Sequence, residues 1–69
     1  MTKIIVEISN NGVTHRGEVE APGNEHDRSR VAFSYARRLA YKHFPNECSI
    51  QVNRIAGSCD WWLADEASE

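Results

Sequence analysis

Apolar residues recur with a helical period in one part of the chain, residues 27–44. At about 100° per residue, Ala32, Ala36 and Leu39 fall on the same side of this segment. Asn24 precedes it and is a residue type favoured at the N-cap of a helix. The pattern predicts an amphipathic helix whose apolar side packs on a sheet.

The amino-terminal part of the chain has the pattern of a β-hairpin. Residues 3–9 are rich in β-branched side chains, and residues 13–21 alternate between polar and apolar. The Asn-Gly dipeptide at 11–12 is a strong signal for a two-residue turn. With that turn, the sequence numbers of any two residues that face each other across the hairpin add up to 23. Glu7 then lies opposite Arg16 on one face, while aliphatic residues line the other.

The carboxy-terminal part predicts two further strands. Residues 48–55 form the third strand and residues 61–64 the fourth, joined by a turn at 57–58. In that register Val52 points inward and lies opposite Leu63. The expected fold class is α+β: a β-β-α-β-β arrangement with a four-stranded antiparallel sheet in the order 2-1-3-4 and the helix on one face.

Length and charge limit what the chain can be. Its 69 residues form a single domain, 1–69, with an acidic tail from about residue 65. The net charge is −2, but there are five basic and no acidic residues between positions 28 and 42. No stretch has the length and apolarity of a membrane span, and no secretion signal is visible, so a cytoplasmic location is expected.

The helical segment has a basic side opposite its apolar side. The residues predicted there are the candidates for partner binding: Arg30, Arg37, Arg38, Tyr41 and Lys42. Guanidinium groups pair with carboxylates or phosphates, and an aromatic ring among them can stack on a base. The alternative is a solvated helix face without a partner.

A tryptophan pair is the second unusual feature. Neighbouring strand residues point to opposite faces, so one ring covers the helix and the other, Trp62, faces outward. Together with Ile5 and Ile55, it would form a binding patch on the open face of the sheet. The alternative is that the outward ring only packs on these isoleucines.

No pattern in the chain indicates catalysis. It has no glycine-rich phosphate loop and no nucleophile elbow, and its histidines and cysteines lack metal-ligand spacing. We therefore expect no catalytic residue, no metal site and no cofactor. Cys48 and Cys59 could pair, but without a secretion signal two free thiols are favoured.

The arrangement resembles small phage-encoded proteins that block a host machine. Residues 50–55 (Ile-Gln-Val-Asn-Arg-Ile) and 61–64 (Trp-Trp-Leu-Ala), after a hairpin and a helix, are similar to anti-CRISPR proteins against type I effector complexes. Residues 17–21 (Gly-Glu-Val-Glu-Ala), the helix and residues 50–55 resemble the T7-type inhibitor of host RNA polymerase.

A shorter resemblance is to DinI-type modulators of the SOS response. It covers residues 35–39 (Tyr-Ala-Arg-Arg-Leu), 44–45 (Phe-Pro) and 49–52 (Ser-Ile-Gln-Val). None of these likenesses carries a motif that identifies functional residues.

The resemblance implies a non-enzymatic inhibitor that binds a host protein or nucleoprotein complex, most specifically an anti-CRISPR protein on a Cascade-type effector complex. Binding to membranes or to free nucleic acid is not expected. The first alternative is a small nucleic-acid-binding or SOS and transcription regulator that uses the basic helix face. The second is a module that forms a homodimer through the open sheet face.

Overall fold

One helix and two separate sheets make up the structure. The computed structural model describes residues 2–65. Its elements, in chain order, are β1 (Thr2–Asn10), β2 (Val13–Ala21), α1 (Glu25–His43), β3 (Cys48–Ile50), β4 (Ile55–Gly57) and β5 (Cys59–Asp65). The first sheet has three strands in the order β2-β1-β5, and the second consists of β3 and β4.

The amino-terminal hairpin has the register that the sequence predicts. Asn11 and Gly12 have φ values of 52° and 84°, as a two-residue turn of this type requires. Glu7 lies opposite Arg16, and their side chains form an ion pair of 3.4 Å. Lys3 lies opposite Glu20 but pairs diagonally with Glu18 at 3.8 Å.

Helix α1 begins where the sequence predicts a cap. The side chain of Asn24 accepts hydrogen bonds from the backbone N–H groups of His26 and Asp27, at 2.8 and 3.2 Å. These bonds satisfy two of the donors that the first turn leaves unpaired. The last turn closes with the N–H of Phe44 donating to the carbonyl of Ala40, and Pro45 then stops the helix. Within residues 2–65 no helix has the length and apolarity needed to cross a membrane.

The core lies between α1 and the three-stranded sheet. Ile4, Val6 and Ile8 of the central strand have no exposed surface. The predicted apolar side of the helix covers them, and its innermost residues are Ala32, Ala36, Leu39 and Ala40. Small alanines let the helix backbone approach the sheet closely, which suits a domain with so few large core residues.

The predicted four-stranded sheet is wrong. Residues 48–55 do not form one long strand. The chain reverses between β3 and β4, where the N–H of Gln51 donates to the carbonyl of Arg54 at 2.9 Å. Val52, expected inside, lies at the tip of this hairpin and is 85% exposed. It therefore cannot pair with Leu63.

The strand beside β1 is β5, not the third strand. Trp61 pairs with Ile8, and Leu63 with Val6. The physical reason is length, because seven-residue β5 can complete the free edge of β1 over more positions than three-residue β3 could. The predicted turn at 57–58 does join two strands, but these are β4, which ends at Gly57 with a φ of 87°, and β5.

The expectation of two free thiols is also wrong. Cys48 and Cys59 form a disulfide, with their Cα atoms 5.5 Å apart. This separation lies within the usual range of roughly 4.4–6.8 Å. The bond joins β3 to the first residue of β5, and so it links the two sheets. The pairing arises from the chain reversal after β3, which the sequence pattern did not reveal.

Candidate docking surfaces

Four of the predicted binding residues lie exposed along one side of α1. We call Arg30, Arg38, Tyr41 and Lys42 the basic face. Tyr41 is 56% exposed although it is a large aromatic residue. Among residues 2–65, none of the three cations forms an ion pair with a carboxylate. This surface thus presents cationic side chains to solvent.

The prediction that Arg37 projects into solvent beside Arg38 is wrong. Arg37 is half-buried, and its Nε atom is buried with no hydrogen-bond partner in the described part of the chain. It lies one helical turn after Phe33, whose ring packs against Trp61. Arg37 is therefore on the flank of the helix toward β5, separate from the basic face.

Two adjoining depressions run along the helix. The first has a volume of about 330 Å³ and the second about 230 Å³; Val31 and Ser34 line both. Arg30 borders the first and Arg38 the second. Eight helical residues span about 12 Å, so the depressions hold one guanidinium group near each end and a hydroxyl group between them. Such spacing suits two carboxylate or phosphate groups on an extended partner.

The outer face of the sheet carries the second predicted site. Trp62 lies on this face, as predicted, and is 40% exposed. Its indole Nε1–H donates to Oε1 of Glu7 at 2.8 Å, and the other oxygen of Glu7 pairs with Arg16. A row of three interacting polar side chains thus crosses all three strands and fixes the indole ring against the sheet.

The predicted apolar patch around Trp62 is only partly formed. Ile5 is half-buried on the strand beside it. Ile55 belongs to β4 in the other sheet and packs against the core. Trp61 points inward to Phe33, at 5.8 Å between ring centroids, so Trp62 is the outward ring of the pair. The outer face therefore offers one fixed indole ring rather than a broad apolar surface.

Comparison of the chain with protein-family models, with curated proteins and with solved structures found no match.

A stacked histidine pair, which the sequence did not indicate, joins β2 to the end of α1. The rings of His15 and His43 are 3.7 Å apart between centroids and 6° from parallel. Phe44 packs beside His15 at 5.4 Å. Desolvation by burial lowers the pKa of His43 below its ordinary value of 6.5, and the nearby positive charges of His15 and Lys42 lower it further. The pair is therefore best suited to the uncharged state of His43.

Acidification is expected to destabilise the fold through this pair. Because His43 binds a proton less readily when folded than when unfolded, its contribution to stability is complete above about pH 6.5 and is lost as the pH falls through its lower folded-state pKa. The urea concentration at the unfolding midpoint should therefore be lower at about pH 5.5 than at about pH 7.5. His43→Gln should weaken this dependence, whereas His26→Gln, at the other end of the helix, serves as the control. An NMR titration of His43 with a midpoint above 6.5 would contradict the expectation.

Proposed function

We propose that this protein is a non-enzymatic docking protein whose basic face binds an acidic surface on a larger protein or nucleoprotein complex. One observation carries the proposal. Arg30, Arg38 and Lys42 are exposed on the same side of α1 without a carboxylate partner among residues 2–65. Solvent-exposed arginines with a tyrosine among them are the residue types enriched at the centres of protein interfaces.

A protein surface suits this face better than bare nucleic acid does. Binding to a phosphate backbone needs many cations in a row, and the net charge here is −2. Asp27 lines the same depression as Arg30, and Glu18 and Glu20 are exposed on nearby β2. The positive surface is therefore narrow and bordered by negative charge. This pattern selects a partner with a few well-placed carboxylates.

The specific form of the proposal is an inhibitor in the host cytoplasm that blocks a nucleoprotein machine, with a Cascade-type effector complex as the target and an anti-CRISPR role. The sequence resemblance described above supports this form. A chain of 69 residues blocks a larger machine by covering a surface, and no chemistry is needed for that.

Charge reversal on the basic face tests the proposal. The double variant Arg30→Glu and Arg38→Glu should weaken binding to a purified Cascade-type complex by about 100-fold or more, measured by biolayer interferometry. Like charges would then meet across a contact that excludes water. Both side chains are exposed, so the melting temperature should change little.

Two controls make the outcome decisive. Arg54→Glu reverses an exposed charge in the β3–β4 turn and should bind as the parent does. Trp62→Ala probes the outer sheet face. If Trp62→Ala abolishes binding and the arginine variant does not, the interface lies on the sheet.

If the parent protein does not bind the Cascade-type complex, the anti-CRISPR form of the proposal is wrong. Submicromolar binding to random DNA near physiological salt would favour the nucleic-acid-binding regulator instead.

A further inference from the structure

Strand β2 forms an open edge of the three-stranded sheet. Within the described residues it pairs with β1 alone. The residues flanking the two-residue turn form a hydrogen-bonded pair, and such pairs alternate along the ladder. The odd-numbered residues of β2 therefore direct their backbone N–H and C=O groups to β1. The even-numbered residues direct theirs outward; these are Thr14, Arg16, Glu18 and Glu20, and all four are exposed.

This edge carries charged side chains, but it lacks the proline and the bulge that also prevent strand pairing. It is nine residues long, contains no proline and pairs with β1 in an unbroken register without a bulge. Its outward backbone groups make no hydrogen bonds to other parts of residues 2–65. A long, regular edge of this kind is a template for another strand.

We propose that two copies of this protein pair through β2, antiparallel, with Gly17 facing Gly17 of the second copy at a two-fold axis. Gly17 is the midpoint of Val13–Ala21, so the two strands overlap over their full length. The outward groups of the even-numbered residues then meet each other, and the two sheets join into one of six strands. This inference does not depend on the proposed function.

Charge complementarity selects this register and a second copy as the occupant. Arg16 lies opposite Glu18 of the second copy, and the symmetry repeats the pair. Shifting the axis by one residue would place either Arg16 or Glu18 opposite itself. Since Arg16 already pairs with Glu7 and Glu18 with Lys3, the dimer would extend a row of alternating charges across both sheets. An unrelated strand would match these charges only by coincidence.

Apolar side chains beside the edge support the same pairing. The depression of about 230 Å³ that Arg38 borders also has an apolar lining of Val19, Val31 and Tyr35, and it opens next to β2 on the helix side. The ring of Tyr35 lies directly over Gly17, where an added Cβ would come within 2.8 Å of ring atoms. The proposed axis passes through Gly17, so it brings these half-buried side chains of the two copies together.

Concentration-dependent mass and complementary variants test the dimer. Sedimentation equilibrium from about 10 μM to about 1 mM should show the parent protein shifting from 7.8 kDa toward twice that mass. Arg16→Glu places Glu against Glu, and Glu18→Arg places Arg against Arg; each alone should raise the dimer dissociation constant about tenfold or more. An equimolar mixture should restore association, because both cross-pairs then have opposite charges. Arg54→Glu is the control.

Hydrogen exchange of the parent provides a test without substitution. Amide protons of Arg16 and Glu18 should become protected as the protein concentration rises, whereas that of Val19, which is directed to β1, should be protected throughout. The inference is overturned if the mass stays at that of the monomer, if the mixture associates no better than its components, or if protection of Arg16 and Glu18 is independent of concentration. Protection appearing only with an added partner would assign the edge to another protein.

Discussion

Reduction of the disulfide between Cys48 and Cys59 is expected to lower the free energy of unfolding by about 2–4 kcal/mol. The bond closes a loop with a sequence separation of 11 residues, and the entropy of the unfolded chain rises when that loop opens. Domains of this size have a total stability of only about 3–5 kcal/mol. Much of the protein should therefore be unfolded after reduction at moderate urea concentrations.

Urea unfolding with and without a thiol reductant measures this effect. The matched control is the double variant Cys48→Ala and Cys59→Ala, whose midpoint should match that of the reduced protein and should not respond to the reductant. Coinciding midpoints for the oxidised and reduced parent would show that the disulfide contributes nothing to stability. The proposed inhibitor role in a host cytoplasm implies a compartment in which thiols stay reduced, so binding through the basic face should also be measured in the reductant.

Loss of the disulfide should destabilise β3 and β4 before it affects the rest of the fold. These strands pair only with each other among residues 2–65, over three residue pairs, and the disulfide ties Cys48 to the three-stranded sheet. Amide protons of this small sheet are therefore expected to exchange faster after reduction, while those of the β1–β2 hairpin keep their protection.

The parts of the fold that the sequence predicted correctly are determined by neighbouring residues. The turn at Asn11 and Gly12 sets the register of the whole hairpin, because one residue of slippage would move the aliphatic side chains to the wrong face. Asn24 and the spacing of Ala32, Ala36 and Leu39 likewise determine the helix and its buried side. In both cases the relevant signals lie within about twenty residues, as helical and strand periodicity require.

The incorrect predictions concern contacts between distant segments. Val52 and Ile50 are two residues apart, and this alternation resembles a strand even though Val52 lies at a hairpin tip. The choice of β5 as the neighbour of β1 depends on the lengths of two strands that are far apart in the sequence, β1 ending at Asn10 and β5 beginning at Cys59. The same chain reversal creates the disulfide, so both errors have one origin.

The sequence predicted the basic face correctly where the helical period alone determines which side chains are exposed. Arg30, Arg38, Tyr41 and Lys42 are exposed together because they share one side of a regular helix. Arg37 falls near the boundary between the two sides, where the position of β5 decides its burial. That position could not be obtained from the helix alone.

Leu39→Ala is expected to lower the free energy of unfolding by about 2–5 kcal/mol. Leu39 is the largest side chain among the buried residues of α1 and is only 7% exposed. The other buried residues of α1 are alanines, so the helix offers little apolar material to fill the cavity that truncation would leave. Because the free energy of unfolding is small for a domain of this length, the variant should be largely unfolded near room temperature.

Val52→Ala is the matched control, since it also shortens an aliphatic side chain but at an 85% exposed position. Its free energy of unfolding should lie within about 0.5 kcal/mol of that of the parent. Circular dichroism during urea unfolding, with the disulfide intact in all three proteins, gives the comparison. If Leu39→Ala costs less than about 0.5 kcal/mol, α1 packs on the sheet with another side. The basic face would then not be the solvent-exposed side of the helix, and the docking proposal would lose its geometric support.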